Sequence, residues 1–232
     1  MKNKKRKFAV FDIDGTIFRS SLLIELVEEM IRKGIFPEKA RSIYERPYQK
    51  WLDRKDGYDK YIMAVVAAFL RHIKGVSEKD FVSIAGRIAR EHQNRVYRHT
   101  RDLVQSLKRK NYFLLAISHS PKYIVDRVAK RWGFDKCYGT LLELDPTTKR
   151  FTGRRLHEDV IFDKAKVLRR AVEKENLTLN NSVGVGDTES DIPMLSLVER
   201  AICFNPNKTL YEMARKKKWK VVVERKNVVY EL

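Results

Sequence analysis

The apolar residues of this chain fall into two kinds of pattern, and the first is a set of short continuous runs. Three such runs, at residues 7–12, 112–118 and 182–187, have the length of a strand and are followed by polar or acidic residues. Continuous apolar runs are typical of strands that are buried on both faces of a parallel sheet. Shorter runs at 201–205 and 220–224 predict two further strands of the same sheet.

Segments with helical spacing separate these runs. The segment 120–134 predicts a helix, with Ser120 as its N-cap, Pro121 at its first helical position and Gly133 at its C-terminal end. Another helix is predicted over 163–177. Strands that alternate with helices in this way are typical of an α/β protein with a Rossmann-like parallel sheet.

Two insertions interrupt the alternation. At 137–155, YGTLLEL and RFTGRR flank the turn-rich sequence DPTTK, which predicts an inserted β-hairpin. Residues 20–98 hold almost no strand signal and three sets of residues at helical spacing. The sets are Leu23, Leu26, Val27, Met30 and Ile31; Tyr61, Val65, Ala68, Phe69 and His72; and Phe81, Ile84, Ala85, Ile88 and His92. With a helix from about residue 99 to 109 leading back to the sheet, we predict a core domain of residues 1–19 and 99–232 and an all-helical domain at 20–98.

Composition narrows the class of protein. The 232 residues are 43% hydrophobic and 34% charged, with only 10 Gly and 6 Pro, which excludes a disordered or fibrous chain. No apolar stretch approaches the roughly 18 residues that span a bilayer, and the first residues lack the pattern of a secretory signal. Cys137 and Cys203 lie far apart without metal-ligand spacing, so we expect two small core residues and a reducing, cytoplasmic setting.

The net charge of +19 raises the question of a polyanionic partner. Two short runs, residues 2–7 and 215–220, hold five basic side chains each. Runs of like charge are usually solvated tails or helix faces, and no RNP-like or zinc-finger motif supports the alternative of nucleic-acid binding. Nucleic acid or anionic lipid therefore stays possible as a partner but is not favoured.

Candidate chemistry stands at the carboxyl ends of the three main predicted strands, where open α/β sheets bind their ligands. Asp12, Asp14, Gly15 and Thr16 follow the first strand, the turn Ser118-His119-Ser120 follows the second, Lys164 opens a helix, and Asp187 and Asp191 follow the third. Each alone has an ordinary explanation as a turn-forming pair, a strand-end cap, a surface lysine or a helix cap. The combination, in this order, favours a catalytic site.

The motifs FDIDGT (11–16), LLAIS (114–118), the helix-opening Lys164 and VGDTESD (185–191) resemble the four motifs of the haloacid dehalogenase-like (HAD) phosphohydrolases. The helical insertion resembles the C1 cap of that family. Within the family, the branch of the phosphoserine phosphatases is the most similar, because FTG (151–153), NPNKTL (205–210) and the region of Trp219 also resemble it.

The resemblance implies an enzyme in which a carboxylate attacks a phosphomonoester and forms an aspartyl-phosphate, with Mg²⁺ bound by oxygen ligands. An acid two residues after the nucleophile favours a phosphatase or phosphotransferase over a dehalogenase or an ion pump. The resemblance implies that Asp12 is the nucleophile and a metal ligand, and that Asp14 is the general acid and base and also binds the metal through its carbonyl. It implies Asp187 as a metal ligand and Asp191 as a support of the metal or of Lys164. Ser118 and Lys164 would bind the phosphoryl oxygens, and Thr16 and the backbone of His119 would contact the substrate.

Two positions depart from the family pattern. Phosphoserine phosphatases carry a Glu that meets the substrate amino group where this chain has Ser21, so phosphoserine is not expected to be the best substrate. Ser190 replaces an Asn that usually precedes the last aspartate. Arg46 and Arg54, in a segment rich in aromatic residues, are either ligands of a substrate anion or part of a solvated helix face.

The sequence therefore predicts a Mg²⁺-dependent phosphatase that hydrolyses a small phosphorylated metabolite of the phosphoserine-like class. Two alternatives remain open. One is a phosphatase that acts on a larger anionic partner, such as a nucleic-acid end or a phospholipid headgroup. The other is a catalytically idle binding protein on the same fold, since fold alone does not determine function. The sequence does not indicate the oligomeric state.

Overall fold

The structure, a computed structural model, describes residues 5–232, and their strands form a single sheet. The strands are β1 (Arg6–Phe11), β2 (Phe113–Pro121), β3 (Lys136–Leu144), β4 (Phe151–Leu156), β5 (Leu177–Gly186), β6 (Arg200–Phe204), β7 (Lys220–Arg225) and β8 (Val228–Glu231). Their order across the sheet is β4-β3-β2-β1-β5-β6-β7-β8. The neighbours from β3 to β7 pair in parallel, and the pairs at the two edges are antiparallel. The predicted parallel α/β sheet is confirmed.

Helices cover both faces of the sheet. They are α1 (Leu22–Arg32), α2 (Glu45–Leu52), α3 (Tyr58–Ile73), α4 (Glu78–Glu91), α5 (Arg98–Arg109), α6 (Lys122–Trp132), α7 (Glu158–Ile161), α8 (Lys164–Lys174), α9 (Ile192–Leu195) and α10 (Lys208–Lys217), with 3₁₀ helices at Glu38–Ile43 and Glu189–Asp191. None of the helices in the described part of the chain is long and apolar enough to cross a membrane.

Strand β1 lies in the middle of the sheet and is buried on both faces. Phe8 and Val10 pack into one hydrophobic cluster, whereas Ala9 and Phe11 pack into the other. Because successive side chains of a strand point to opposite faces, a strand between two helical layers needs apolar residues at every position. The continuous apolar run in the sequence has this cause.

The first strand begins one residue earlier than predicted, so two residues of the first basic run belong to the sheet. The backbone N–H of Arg6 donates to the carbonyl of Asn176 at 3.1 Å, and its guanidinium lies 4.4 Å from the centre of the Phe113 ring. Lys7 also lies within β1. Lys2 and Lys4 of that run lie outside the described residues.

The predicted start of the helix after β2 is wrong. Ser120 is not an N-cap, because β2 continues to Pro121, which pairs with Thr140 of β3. Pro121 has extended backbone angles and precedes the first helical residue, Lys122. Gly133 ends α6 in the left-handed conformation, with φ of 83°, as predicted.

The predicted hairpin is formed by β3 and β4, and it is fastened to the helical segment, by which we mean residues 20–98. The backbone N–H of Gly75 donates to Phe151 at 2.8 Å, and that of Phe151 donates back to Val76 at 2.9 Å. A second set of contacts lies where the segment joins the sheet, because the backbone N–H of Arg19, directly before the segment, donates to Arg95 near its end at 3.0 Å. The helical segment is therefore attached at two separate places.

The helical segment contains α1 to α4, and its apolar residues occupy the predicted faces. Leu26, Val65, Phe69 and Ile88 are buried in the same hydrophobic cluster as one face of the sheet. Serine hydroxyls accept backbone hydrogen bonds at the beginnings of α1 and α4. The division into two domains at residues 19/20 and 98/99 stays a prediction.

Candidate active site

The loop after β1 presents Asp12 and Asp14 at the carboxyl end of the sheet, beside the end of β5. The backbone N–H of Asp12 donates to Val185 at 2.9 Å, which continues the pairing of the two strands. Gly15 follows with φ of 81°, and a Cβ atom at this position would lie 2.1 Å from a carboxylate oxygen of Asp187. Only glycine combines that backbone conformation with so close an approach.

Strand order explains why the site lies here. From β1 the chain builds the sheet outwards through β2 and β3 on one side, and from β5 through β6 and β7 on the other. The place where the direction of building reverses is a topological switch point, where the loops diverge and leave a crevice at the carboxyl ends of the strands. Asp12 and Asp187 follow the two strands that flank this crevice.

Lys164 is a buried cation between two carboxylates. Its ammonium lies 2.5 Å from Asp12 and 2.6 Å from Asp191, and only 2% of the residue is exposed. Asp163 caps α8 and so fixes the backbone from which Lys164 extends. Burial lowers the pKa of Lys164, but the two carboxylates outweigh it and raise the pKa above its ordinary value. The lysine therefore stays charged.

Asp12, Asp187 and Asp191 form a group whose ligand oxygens all lie within 4.8 Å of one another. The pKa values of Asp12 and Asp187 are raised by burial and by the neighbouring carboxylates, against the opposing effect of Lys164. Asp187 is held by the Thr16 hydroxyl at 3.1 Å. Hard oxygen donors with an excess of negative charge fit a Mg²⁺ ion.

Asp191 orients its neighbours with both oxygens. One accepts from Lys164, and the other accepts from the backbone N–H groups of Asp187 and Thr188 at 2.9 and 3.1 Å. A Cβ atom on Gly186 would lie 2.5 Å from the Asp191 side chain, so this packing also requires glycine. Two roles were predicted for Asp191. Its hydrogen bond with Lys164 fits the role of supporting that lysine, and its role in binding a metal ion stays a prediction.

The carboxylate of Asp14 points away from that group and towards the end of β2. It accepts hydrogen bonds from the hydroxyls of Ser118 and Ser120 at 2.7 and 2.9 Å and from the backbone N–H of Leu22 at 2.5 Å. Burial raises the pKa of Asp14 although these three donors favour its charged form. A raised pKa suits a carboxyl group that gives and takes a proton near neutral pH.

Ser120 is a site residue to which the sequence analysis gave no catalytic role. Its spacing from Ser118 could have indicated one, because the two residues are two apart and the structure extends β2 through both. Side chains at that spacing point to the same face of a strand. Ser118, which was predicted, also accepts from the backbone N–H of Ser120 at 2.9 Å.

His119 lies between the two serines and faces the other way. Its imidazole packs against Phe162, with the ring centres 5.2 Å apart, and hydrogen-bonds to the backbone of Ile161. Burial and the nearby Lys164 lower its pKa to about 4, so the ring is neutral. Its Nε2 atom has no hydrogen-bond partner among the described residues. These contacts give the side chain a structural role, and the predicted substrate contact of its backbone stays a prediction.

Two tyrosines that the sequence analysis did not assign to the site also lie at it. Tyr58, the first residue of α3, interacts electrostatically with Asp14 and Asp187. Tyr97 interacts with Asp187, and its hydroxyl hydrogen-bonds to the side chain of Asn205. No sequence signal links Tyr58 to the site, because only the folding of the helical segment brings it there.

The remaining predicted positions take ordinary places. The Ser21 hydroxyl caps α1 and is buried, and Ser190 shares a hydrogen bond of 2.9 Å with Thr188. Arg46 and Arg54 are exposed. The two cysteines are free, Cys203 fully buried and Cys137 half-buried.

Comparison with known proteins decides the family. The haloacid dehalogenase-like hydrolase family matches residues 9–196, which include the four motifs with Asp12, Ser118, Lys164 and Asp187. The chain belongs to the haloacid dehalogenase-like hydrolases. Within them it is related to phosphoserine phosphatases, as the sequence predicts.

Individual relatives of this hydrolase are distant. It is 24% identical to a phosphoserine phosphatase of Archaeoglobus fulgidus over 91% of the chain, and it spans 56% of the length of that relative. It is also 24% identical to a histidinol-phosphatase of Neisseria meningitidis, over 94% of the chain and 98% of the relative. A solved structure from Bordetella pertussis, described as a protein of unknown function, shares the fold with a TM-score of 0.73 at 20% identity, over 94% of this chain and 98% of that one.

Proposed function

We propose that this hydrolase is a Mg²⁺-dependent phosphatase that cleaves a small phosphomonoester through an aspartyl-phosphate on Asp12. The observation that carries the proposal is the environment of Asp12. It is a buried carboxylate at the mouth of the crevice, bound by the Lys164 ammonium at 2.5 Å and close to Asp187 and Asp191. Burial of a carboxylate costs free energy, and a nucleophile that attacks an anion needs that positive charge beside it.

In the first step, a carboxylate oxygen of Asp12 attacks the phosphorus atom of the ester. The bond from Asp12 to phosphorus forms while the bond from phosphorus to the alcohol oxygen breaks. Asp14, as a carboxylic acid, gives its proton to the departing alcohol oxygen. Lys164 would stabilise the negative charge of the transferring oxygens. The Ser118 hydroxyl donates to Asp14, so its predicted contact with the phosphoryl oxygens stays a prediction.

In the second step, the Asp14 carboxylate removes a proton from a water molecule, which attacks the phosphorus atom. The bond between Asp12 and phosphorus breaks, inorganic phosphate leaves, and Asp14 is again protonated. One acid thus serves both half-reactions, and the Ser118 and Ser120 hydroxyls hold it in place throughout.

Asp12 and Asp187 would hold the metal ion, with the backbone carbonyl of Asp14 as a third ligand in keeping with the family. The three carboxylates of Asp12, Asp187 and Asp191 supply the hard oxygen atoms and the excess negative charge that Mg²⁺ requires. When bound, the ion supplies positive charge that offsets the repulsion between the nucleophile and the phosphate.

A small substrate is favoured because the helical segment approaches the crevice closely enough for Tyr58 to interact electrostatically with Asp14 and Asp187. The names of the relatives also support it, since those enzymes are named for small phosphorylated metabolites. A larger anionic partner is the second candidate, and the net charge of +19 favours it.

The proposal is tested with an aryl phosphate in the presence of Mg²⁺. We expect Asp12→Asn to lower kcat by about 10³-fold or more, since it removes the nucleophile, while EDTA stops turnover and added Mg²⁺ restores it. Asp102→Asn, an exposed carboxylate on α5, is the matched control and should keep full activity. Asp14→Asn should still form the phosphoenzyme with this leaving group, which needs no proton. Retention of more than a few per cent of kcat by Asp12→Asn would disprove the mechanism.

A further inference from the structure

Helix α1, whose first residue, Leu22, donates to Asp14, offers no free carboxylate. Ser21, at the position that the family pattern gives to an acid, caps α1 and is only 4% exposed. The three acidic residues of α1 are each bound to an arginine. These pairs are Glu25 with Arg95 at 2.7 Å, Glu28 with Arg41 at 2.9 Å and Glu29 with Arg87 at 2.9 Å. A substrate ammonium would therefore find no unpaired partner on this helix.

Aromatic side chains occupy the neighbouring part of the helical segment. We call Tyr48, Trp51, Tyr58 and Tyr61, on α2 and α3, the ring cluster. Trp51 stacks on Tyr61 with ring centres 5.6 Å apart and planes 14° from parallel, and Tyr58 lies 5.4 Å from Trp51. Tyr48 lies 5.0 Å from Tyr61. Each ring holds the others in place, so the cluster is a preformed surface.

The ring cluster is only partly covered by the rest of the chain. Tyr48 and Tyr58 keep 39% and 36% of their surface exposed, although each is in contact with two other rings. An aromatic ring that is fixed on one side and open on the other is available to stack on a ligand.

Tyr58 connects the ring cluster electrostatically to the catalytic carboxylates. Its hydroxyl end is desolvated, and together with the charges of Asp14 and Asp187 this raises the pKa of Tyr58 above its ordinary value. Asp14 is the residue from which the leaving alcohol takes its proton under the proposed function. A leaving group that takes this proton would therefore lie within the reach of the electrostatic interaction between Asp14 and Tyr58.

We propose that the ring cluster, through Tyr58, binds the alcohol part of the substrate, and that this alcohol carries a planar aromatic or heteroaromatic ring and is recognised without an ammonium group. The proposal rests on the proposed function and adds to it the class of substrate. A planar group gains edge-to-face or offset contacts with Tyr58 that a flexible or saturated group of equal size lacks.

Three primary alkyl phosphates separate the contributions, because their phosphate groups react alike. They are 2-phenylethyl phosphate, 2-cyclohexylethyl phosphate and 2-aminoethyl phosphate, with an aryl phosphate as a check on basal activity. We expect kcat/KM for the phenyl ester to exceed that for the cyclohexyl ester by about 5-fold or more. The ratio of the phenyl ester to the amino ester should be larger still.

Variants of Tyr58 connect the preference to the ring cluster. Tyr58→Leu should remove most of the preference for the phenyl ester over the cyclohexyl ester, mainly through a raised KM, whereas Tyr58→Phe should keep it. Tyr230→Leu, an exposed tyrosine on the edge strand β8, is the matched control and should leave the preference unchanged. Thermal unfolding of each variant shows whether it is folded, and Tyr58→Phe keeps the ring packing if Tyr58→Leu does not fold.

The results distinguish this inference from the proposed function. If the aryl phosphate is not hydrolysed, the proposed function fails, and the inference with it. If the aryl phosphate is hydrolysed but the amino ester or the cyclohexyl ester equals or exceeds the phenyl ester, the inference alone is overturned. A preference for the phenyl ester that survives Tyr58→Leu overturns the role of the ring cluster.

Discussion

His119 shows how a single buried side chain can tie the stability of the site to pH. Its imidazole is enclosed between Phe162 and the backbone of Ile161, close to the permanently charged Lys164. A second positive charge there would be poorly solvated and would be repelled by Lys164, so the folded protein favours the neutral form of the imidazole.

We expect this histidine to make the folded state less stable as the pH falls. The pKa of the ring is about 6.5 in the unfolded chain and about 4 in the folded protein, so between these values the unfolded chain binds more protons. The free energy of unfolding should fall by about 2 kcal/mol at most between pH 7 and pH 5 on account of His119.

The measurement is urea unfolding at the two pH values, in EDTA, for the wild-type chain and for His119→Asn. Asparagine can donate to the Ile161 carbonyl and does not titrate, so the variant should lose less stability on acidification than the wild type. Equal losses in the two proteins would contradict the assignment.

At the scale of the elements, the end of β2 does two tasks at once. Its last residues pair with β3, and the same extension turns Ser118 and Ser120 towards Asp14. The position of the general acid thus depends on how far a strand continues.

Removing one of these hydroxyls should weaken proton transfer. We expect Ser120→Ala to lower kcat by about 3- to 10-fold for an alkyl phosphate, and by less for an aryl phosphate, whose leaving group needs no proton. The control is Ser196→Ala, which removes an exposed hydroxyl at the end of α9 and should change neither value. An equal loss for both esters would show that Ser120 acts on folding or on phosphate binding instead.

Most of the elements could be predicted because their signals are local and agree with one another. The apolar run 7–12, the glycine at 133 and the turn within 137–155 each specify an element without help from distant residues. The failure at Ser120 has a physical cause, since the pairing of Pro121 with Thr140 stabilises an extended backbone where the local sequence favours a helix start. The short edge strand β8 carried too weak a pattern to be predicted.

The site could be predicted only in part, for a related reason. Asp12, Asp14 and Asp187 were expected to meet because they follow strands of one parallel sheet, whose carboxyl ends share an edge. The place of Tyr58 at the site depends on the packing of helices that are far from β1 in sequence. The local sequence pattern around residue 58 does not indicate how these helices pack against the site.

At the scale of the whole molecule, the second basic run lies far from the site. The last turn of α10 leads directly into β7, which is parallel to β6 and β5, so residues 215–220 lie at the amino edge of the sheet. The site lies at the carboxyl edge, and a strand of six residues separates the two edges by about 20 Å. Salt screens charges over about 8 Å at physiological ionic strength.

The triple variant Arg215→Gln, Lys216→Gln and Lys217→Gln should therefore leave kcat/KM for small phosphate esters unchanged within about twofold. The same ratio is measured for an oligonucleotide with a 5′-phosphate, at low and at physiological salt. A loss confined to the oligonucleotide would favour the larger anionic partner, because each phosphate neutralised on a nucleic acid adds a salt-dependent contribution to binding.

The contacts of the helical segment also determine what opening of the site would cost. Besides the backbone bonds of Gly75 and Val76 with Phe151, helix α4 packs against α6, where Phe81 lies 5.5 Å from Tyr123 and the Tyr123 hydroxyl donates to Glu78 at 2.9 Å. A rotation of the segment away from the sheet would expose this apolar surface to water. Opening of that kind would therefore cost free energy, which substrate binding has to offset each time the segment closes again.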